Sequence, residues 1–209
     1  MNKRLILFRH VDTDKNVLSR FSDTQLGESI TEEGYRQLKE ISDSISQLRN
    51  SAGFKVDKIF CSPSSRSKQS AAALAEELGI GISVLTDFDS INSGSLAGRT
   101  EQEAKAIAPT FLKQLALYRS GLFSSYNIEL PSDAESVMAF ESRIQKQLVQ
   151  LLVQETSEVV LIFSHRSPIT AALLYFARKF QKYPSDFYGA RSHLGSFIMV
   201  SSPVAGSIR

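Results

Sequence analysis

Leu5-Ile6-Leu7-Phe8 is a short apolar run, and Arg9-His10 follows it directly. A second run of the same kind, residues 159–163, leads into Ser164-His165. Short apolar runs bounded by polar residues are typical of buried strands in a parallel sheet. The carboxyl ends of such strands form the edge at which open α/β sheets bind ligands. Since the chain has only three histidines, two of them at strand ends predict a catalytic site.

Strand-like and helix-like stretches alternate along the chain, and no internal repeat is visible. Apolar runs predict strands at residues 4–8, 57–61, 158–163 and 196–200. Amphipathic stretches predict helices that begin at Thr31 and that span about 67–78, 134–154 and 168–180. This alternation predicts one α/β domain, residues 1–209, built as a three-layer α/β/α sandwich with a mostly parallel central sheet.

Residues 100–133, here named the cap segment, fit this alternation less well. Residues 101–118 have a helical pattern with a break near Pro109, and residues 121–131 resemble a loop. We predict a small insertion that covers the carboxyl edge of the sheet. Five of its side chains either shape a substrate pocket or pack the segment onto the sheet, namely Leu112, Leu115, Tyr118, Phe123 and Tyr126.

Composition excludes several classes of protein. The chain has 209 residues with 42% hydrophobic and 22% charged residues, which is ordinary for a soluble globular protein. A net charge of +2 with dispersed basic residues argues against nucleic-acid or membrane partners. Cys61 is the only cysteine, so we expect a buried thiol rather than a disulfide or a metal cluster. The first apolar stretch is too short for a signal peptide or membrane span, which predicts a cytoplasmic protein. The oligomeric state stays open, with a dimer as one option.

The residues at the predicted strand ends suit phosphoryl transfer. A neutral imidazole can attack phosphorus and form a phosphohistidine that water later cleaves. The transferred group spreads negative charge over three oxygens, and arginine can bind two of them at once. Arg9 adjoins His10, Arg66 follows the strand at 57–61, and His165 ends another strand. We therefore expect two imidazoles and two guanidinium groups to converge on one phosphoryl group.

Each of these residues also has a simpler interpretation. A histidine after a strand is often a hydrogen-bonded structural residue, and an arginine beside it is often surface charge. A metal site formed by His10 and His165 is the weaker alternative, because no carboxylate accompanies either residue at a typical ligand spacing. We therefore predict neither a metal nor a cofactor. The joint pattern at three strand ends favours the catalytic interpretation.

Several motifs, in one order along the chain, resemble those of the histidine phosphatase superfamily, which has the phosphoglycerate mutase-like fold. Residues 9–16, RHVDTDKN, resemble its Arg-His-Gly-x-Thr-x-x-Asn signature, and residues 62–71, SPSSRSKQSA, resemble Ser-Pro-x-x-Arg-x-x-Gln-Thr-Ala. Four further matches are ITEEG at 30–34, GSLAGRT at 94–100, Glu135-Ser136 with Arg143, and Ser164-His165. The matches extend from residue 4 to about 180, and as a set they are highly specific.

The resemblance implies roles for individual residues. It implies that His10 is the nucleophile and that Arg9, Arg66 and His165 form the phosphate pocket. Thr13 and Asn16 match signature positions that line this pocket and support its loop.

Two departures from the signatures change the expected pocket. Val11 replaces the glycine after the nucleophile, which suggests a reshaped loop. Arg166 replaces a glycine after the second histidine, where it either faces solvent or binds a further anionic group of the substrate.

A third departure concerns the general acid. The position where the family usually has a glutamate holds Ser90, which cannot protonate a leaving alkoxide. Asp89 or Asp87 could substitute after a small loop shift, and the alternative is that both are solvated loop residues. Without an acid, the enzyme would prefer phosphoanhydrides, phosphohistidine, or acyl and aryl phosphates.

Taken together, these features predict a metal-independent phosphoric monoester hydrolase. It would act on a small phosphorylated metabolite through a phosphohistidine at His10. The alternatives are a phosphatase directed at phosphohistidine or phosphoanhydrides, a phosphomutase, and a non-catalytic anion-binding relative.

Overall fold

A five-stranded sheet forms the centre of the protein. The computed structural model describes residues 2–18, 20–21, 28–52, 55–120, 122, 124–180, 195 and 197–203. The strands are β1 (Asn2–Arg9), β2 (Lys58–Cys61), β3 (Ile82–Val84), β4 (Val159–Ser164) and β5 (Phe197–Pro203). Their order is β3-β2-β4-β1-β5, in which the first four strands are parallel and β5 is antiparallel to β1. The predicted mostly parallel sheet is confirmed.

Helices cover both faces of this sheet. The described helices are α1 (Asp14–Val17), α2 (Glu32–Ala52), α3 (Ser65–Leu78), α4 (Glu101–Ile107), α5 (Pro109–Arg119), α6 (Val137–Gln154) and α7 (Arg166–Phe180). Successive strand side chains point to opposite faces, so Leu5 and Leu7 pack with α6 and α7, while Ile6 and Phe8 pack with α2 and α3. The three-layer sandwich is thereby confirmed. Among the described residues, no helix combines the length and the apolar character needed to traverse a lipid bilayer.

The helix ends follow local capping chemistry. The predicted start of α2 is confirmed, since the Gly34 amide donates to the Thr31 hydroxyl at 3.1 Å. Gly79 ends α3 in the left-handed conformation, as its position predicts. Helices α3 and α7 begin two residues earlier than expected, and α6 begins three residues later because Ser136 caps it.

Two short elements escaped prediction. β3 and α1 have three and four residues, which is too few for a hydrophobic period to show. β3 is held by backbone pairing, with Ile82 opposite Ile59 on β2. The strand predicted at residues 196–200 corresponds to β5, which begins at Phe197, and Ser196 lies outside the described residues.

The cap segment contains α4, α5 and a 3-10 turn at Ser125–Asn127, with the break between the helices at Pro109. Its helices contribute to an apolar cluster that is separate from the two clusters on the sheet. This cluster centres on Leu96, Ala104 and Phe111, with Leu112 and Leu115 packed against it. Phe123 lies outside the described residues. The segment thus supplies a second wall above the strand ends.

Candidate active site

Backbone pairing of β1 with β4 brings the two histidines together. Arg9 lies opposite Ser164 in the register, and the His10 amide donates to the Ser164 carbonyl at 2.8 Å. The His10 and His165 rings consequently lie edge to face, with 5.1 Å between their centroids. Because both strands run in the same direction, their carboxyl ends meet at one edge of the sheet.

His10 is held in one tautomer. Its Nδ1 lies 2.8 Å from the Val11 carbonyl oxygen, which can only accept, so Nδ1 carries the proton. The lone pair therefore lies on Nε2. Burial, followed by the nearby His165 and Arg66, lowers the pKa of His10 well below its usual value. At neutral pH His10 is a neutral base whose Nε2 can act as a nucleophile.

His165 has the opposite tautomer. Arg66 Nε donates to His165 Nδ1 at 3.1 Å, so the ring proton lies on Nε2. This Nε2 lies 2.8 Å from Asp89 Oδ1, with the hydroxyls of Ser62 and Ser64 at 2.9 and 3.0 Å. Burial, followed by the charge of Arg66, lowers the pKa of His165 well below its usual value. His165 is therefore a neutral hydrogen-bond donor.

Arg66 is the second residue of α3 and is fixed by a buried ion pair. Its Nη1 donates to Glu28 Oε1 at 2.8 Å, and the two side chains are only 1% and 3% exposed. Glu28 Oε2 lies 3.2 Å from the Thr13 hydroxyl, and the Glu28 backbone carbonyl accepts from Gln69 Nε2 at 2.8 Å. Glu28, Arg66 and His165 thus form a continuous chain of buried polar groups.

Three cations line the cleft beside His10, namely Arg9, Lys15 and Arg166, whereas Arg66 is buried and is not part of this lining. Burial, followed by the charges of Arg166 and Arg66, lowers the pKa of Arg9 to about 10. Burial, followed by the charge of Arg66, lowers the pKa of Lys15 to about 8. Neighbouring arginines contribute to both pKa shifts after burial, so positive charge is concentrated at this part of the cleft. Such a concentration suits a dianionic ligand.

Asp89 and Ser90 occupy the position expected for the acid. Ser90 lines the cleft, whereas Asp89 Oδ1 reaches His165 and accepts from the Ser90 amide at 2.8 Å. Burial raises the pKa of Asp89, which favours its protonated form. Asp87 is half-buried, and its backbone binds Gln147 and Arg143 on α6.

Arg143 holds this loop in place. Its guanidinium donates to the carbonyls of Asp87, Asp89 and Ser90 and pairs with both oxygens of Glu135. A planar guanidinium can satisfy several carbonyls at once because its five donors are rigidly arranged. Arg143 thereby determines where Asp89 lies relative to His165.

Thr13 and Asn16 take different positions. Asn16 lines the cleft, while Thr13 is fully buried behind it and donates to Asn16 Oδ1 at 2.9 Å.

Val11 is a core residue whose amide donates to Ser70 Oγ at 3.2 Å. Helix α2 packs closely on this loop, since a Cβ at Gly34 would lie 2.3 Å from the Asp12 carbonyl oxygen.

The cleft has a volume of about 320 Å³. Of the cap side chains expected at a pocket, Leu115 and Tyr118 line it. Leu112 packs inside the cap cluster, and the Tyr126 hydroxyl donates to Glu141 on α6 at 2.6 Å. Within the described residues, no group of three or more His, Cys, Asp or Glu side chains is arranged to hold a metal ion.

Sequence reasoning missed three residues of the site. Lys15 lies inside the RHVDTDKN stretch at residues 9–16, directly before Asn16, which also lines the cleft. Glu28 carries no signal of burial, because an isolated glutamate before a helix is usually exposed. In the sequence, Arg143 stands out only as part of a motif. Its contacts with three backbone carbonyls result from tertiary packing and cannot be seen in the sequence.

Removing the buried partner of Arg66 should destabilise the fold. Glu28→Ala leaves the Arg66 charge buried, so we expect a loss of about 3–5 kcal/mol in the free energy of unfolding. Glu33→Ala is the control, since it removes a carboxylate from an exposed pair with Arg36 and should change stability little. Urea denaturation of both variants measures the difference, and equal losses would contradict the role assigned to Glu28.

The depressed histidine pKa values also predict a pH dependence. His10 and His165 should stay neutral at pH 6, below the ordinary value of about 6.5, because their burial disfavours the charged ring. The unfolded chain takes up these protons, so stability is full above pH 6.5 and declines as the pH falls below it. NMR titration of the imidazole carbon-bound protons measures the midpoints. Midpoints at or above 6.5 would show that the rings are not desolvated.

Comparison with known proteins identifies the family of the chain. The model of the histidine phosphatase superfamily (branch 1) matches residues 5–195. Comparison with curated protein sequences finds no match.

Solved structures share the fold. Mycobacterial hydrolase 1 has 21% identity and a TM-score of 0.75, covering 96% of this chain and 92% of that chain. A putative α-ribazole-5'-P phosphatase from Escherichia coli str. K-12 substr. MG1655 has 18% identity and a TM-score of 0.74, with coverages of 95% and 90%. A mycobacterial glucosyl-3-phosphoglycerate phosphatase has 21% identity and a TM-score of 0.72, with coverages of 94% and 90%. With the family match over nearly its whole length, the chain belongs to branch 1 of the histidine phosphatase superfamily.

Proposed function

We propose that this protein is a phosphoric monoester hydrolase that acts on a small phosphorylated metabolite through a phosphohistidine at His10. The observation that carries the proposal is the Nδ1–H bond of His10 to the Val11 carbonyl, which places the lone pair on Nε2. Two structures with this fold are named as phosphatases of α-ribazole-5'-P and of glucosyl-3-phosphoglycerate, which supports a small phosphorylated substrate.

The first step transfers the phosphoryl group to the enzyme. His10 Nε2 forms a bond to phosphorus while the bond from phosphorus to the leaving oxygen breaks. Arg9, Arg66 and His165 donate to the phosphoryl oxygens and stabilise their charge. Asp89, whose burial raises its pKa and so favours the protonated form, gives its proton to the leaving oxygen from the carboxyl group beside His165.

The second step returns the enzyme to its starting state. Asp89, now ionised, accepts a proton from water as the water oxygen attacks phosphorus. The bond from phosphorus to Nε2 breaks, and inorganic phosphate leaves. During the intermediate the His10 ring carries a positive charge, which the Val11 carbonyl stabilises through the Nδ1–H bond.

Replacement of the nucleophile tests the proposal. His10→Ala should lower kcat for 4-nitrophenyl phosphate by about a thousandfold or more, since the covalent route is lost. It should also abolish an acid-labile, alkali-stable phosphoenzyme after incubation with a ³²P-labelled substrate. His165→Ala is the comparison, because it removes the other imidazole and should slow labelling without abolishing it. Full labelling of His10→Ala would refute the assignment.

A second candidate function is favoured by Ser90. Since Ser90 rather than a carboxylate lines the cleft at the acid position, a phosphatase directed at phosphoanhydrides, phosphohistidine, or acyl and aryl phosphates would need no proton donor. The two candidates differ in whether Asp89 acts as an acid.

Asp89→Asn separates them. If Asp89 is the acid, this variant should lose about 10²–10⁴ in kcat/KM for alkyl phosphates and far less for 4-nitrophenyl phosphate, whose leaving group needs little protonation. Asp87→Asn is the matched control and should retain wild-type rates. Equal rates of wild type and Asp89→Asn across leaving groups of different pKa would favour the second candidate.

A further inference from the structure

The cleft has two chemically distinct halves. One half holds the histidines and the basic side chains at the ends of β1 and β4. The other half is formed by apolar side chains of the cap segment and of α6, namely Phe111, Leu115, Ile128, Leu130, Val137 and Phe140. Leu115, Ile128 and Leu130 also pack against the cap cluster, so this apolar surface belongs to an ordered wall.

Charged residues in the apolar half are neutralised within the protein. Arg119 pairs with Glu101 at 2.5 Å, and both side chains are about half exposed. Arg20 donates to the Gly98 carbonyl at 2.6 Å and lies 3.7 Å from Glu103. A second anionic group of a ligand would share these guanidinium groups with carboxylates of the protein, which weakens the attraction for it there.

We infer that the group esterified to the substrate phosphate is apolar and uncharged and lies against the cap half of the cleft. The inference rests on the proposed function for the position of the phosphate. A hydroxyl-rich sugar or a carboxylate placed against the apolar side chains of Phe111, Leu115 and Phe140 would give up hydrogen bonds to water without replacing them there. An aliphatic chain or an aromatic ring would instead gain from leaving water.

The volume of the cleft limits the size of this group. About 320 Å³ corresponds to about ten molecules of liquid water and lies at the lower end of ligand pockets. With the phosphoryl group in the basic half, the remaining space fits a single ring or a short chain.

Alkylphosphonates test the inference, because they bind without being hydrolysed. We expect the affinity of the wild-type protein, measured by isothermal titration calorimetry, to rise from ethyl- to hexylphosphonate by up to about fourfold per methylene. 6-Phosphonohexanoate, which ends in a carboxylate, should bind at least tenfold more weakly than hexylphosphonate. Leu115→Ser should reduce the gain per methylene. Leu117→Ser, on the same helix but outside the cleft lining, should preserve it.

The possible results are distinct from those for the proposed function. An affinity independent of chain length, or tighter binding of 6-phosphonohexanoate than of hexylphosphonate, would overturn the inference even if His10 forms a phosphoenzyme. A steep dependence on chain length would support it even if His10→Ala left turnover unchanged, in which case the proposed function alone would fail.

Discussion

The parallel pairing of β1 with β4 is the constraint on which the site depends. It ties the backbones of His10 and Ser164 together and leaves the two imidazoles on one edge of the sheet. Because these strands are buried on both faces by α2, α3, α6 and α7, their register cannot slip without moving whole rows of apolar side chains. The core therefore fixes the distance between the two rings.

Burial has two opposite effects on the groups at this edge. It keeps both imidazoles neutral, so that one can attack and the other can donate a hydrogen bond. It also raises the cost of the nearby positive charges, which Glu28 offsets through its ion pair with Arg66. The site can then hold a guanidinium in a fixed orientation before any ligand arrives, and such preorganisation is what stabilises a developing phosphoryl charge.

Much of the fold followed from patterns in the sequence, because runs such as Leu5–Phe8 are long enough to show strand character and Thr31 and Gly79 mark helix ends through capping. The positions of His10 and His165 also followed, since a parallel sheet collects strand ends at one edge. Glu28 could not be predicted, because its burial results from contacts with residues 38 positions later in the chain. The three-residue β3 escaped for a different reason: backbone pairing, rather than any side-chain period, defines it.

Lys15 gives the cleft an adjustable charge. Most lysines keep their proton up to about pH 10, but the pKa of Lys15 is lowered to about 8 because burial and the charge of Arg66 oppose its protonation. A mildly alkaline medium would thus remove one positive charge from the cleft wall beside His10. The attraction of the cleft for dianions would weaken over this alkaline range.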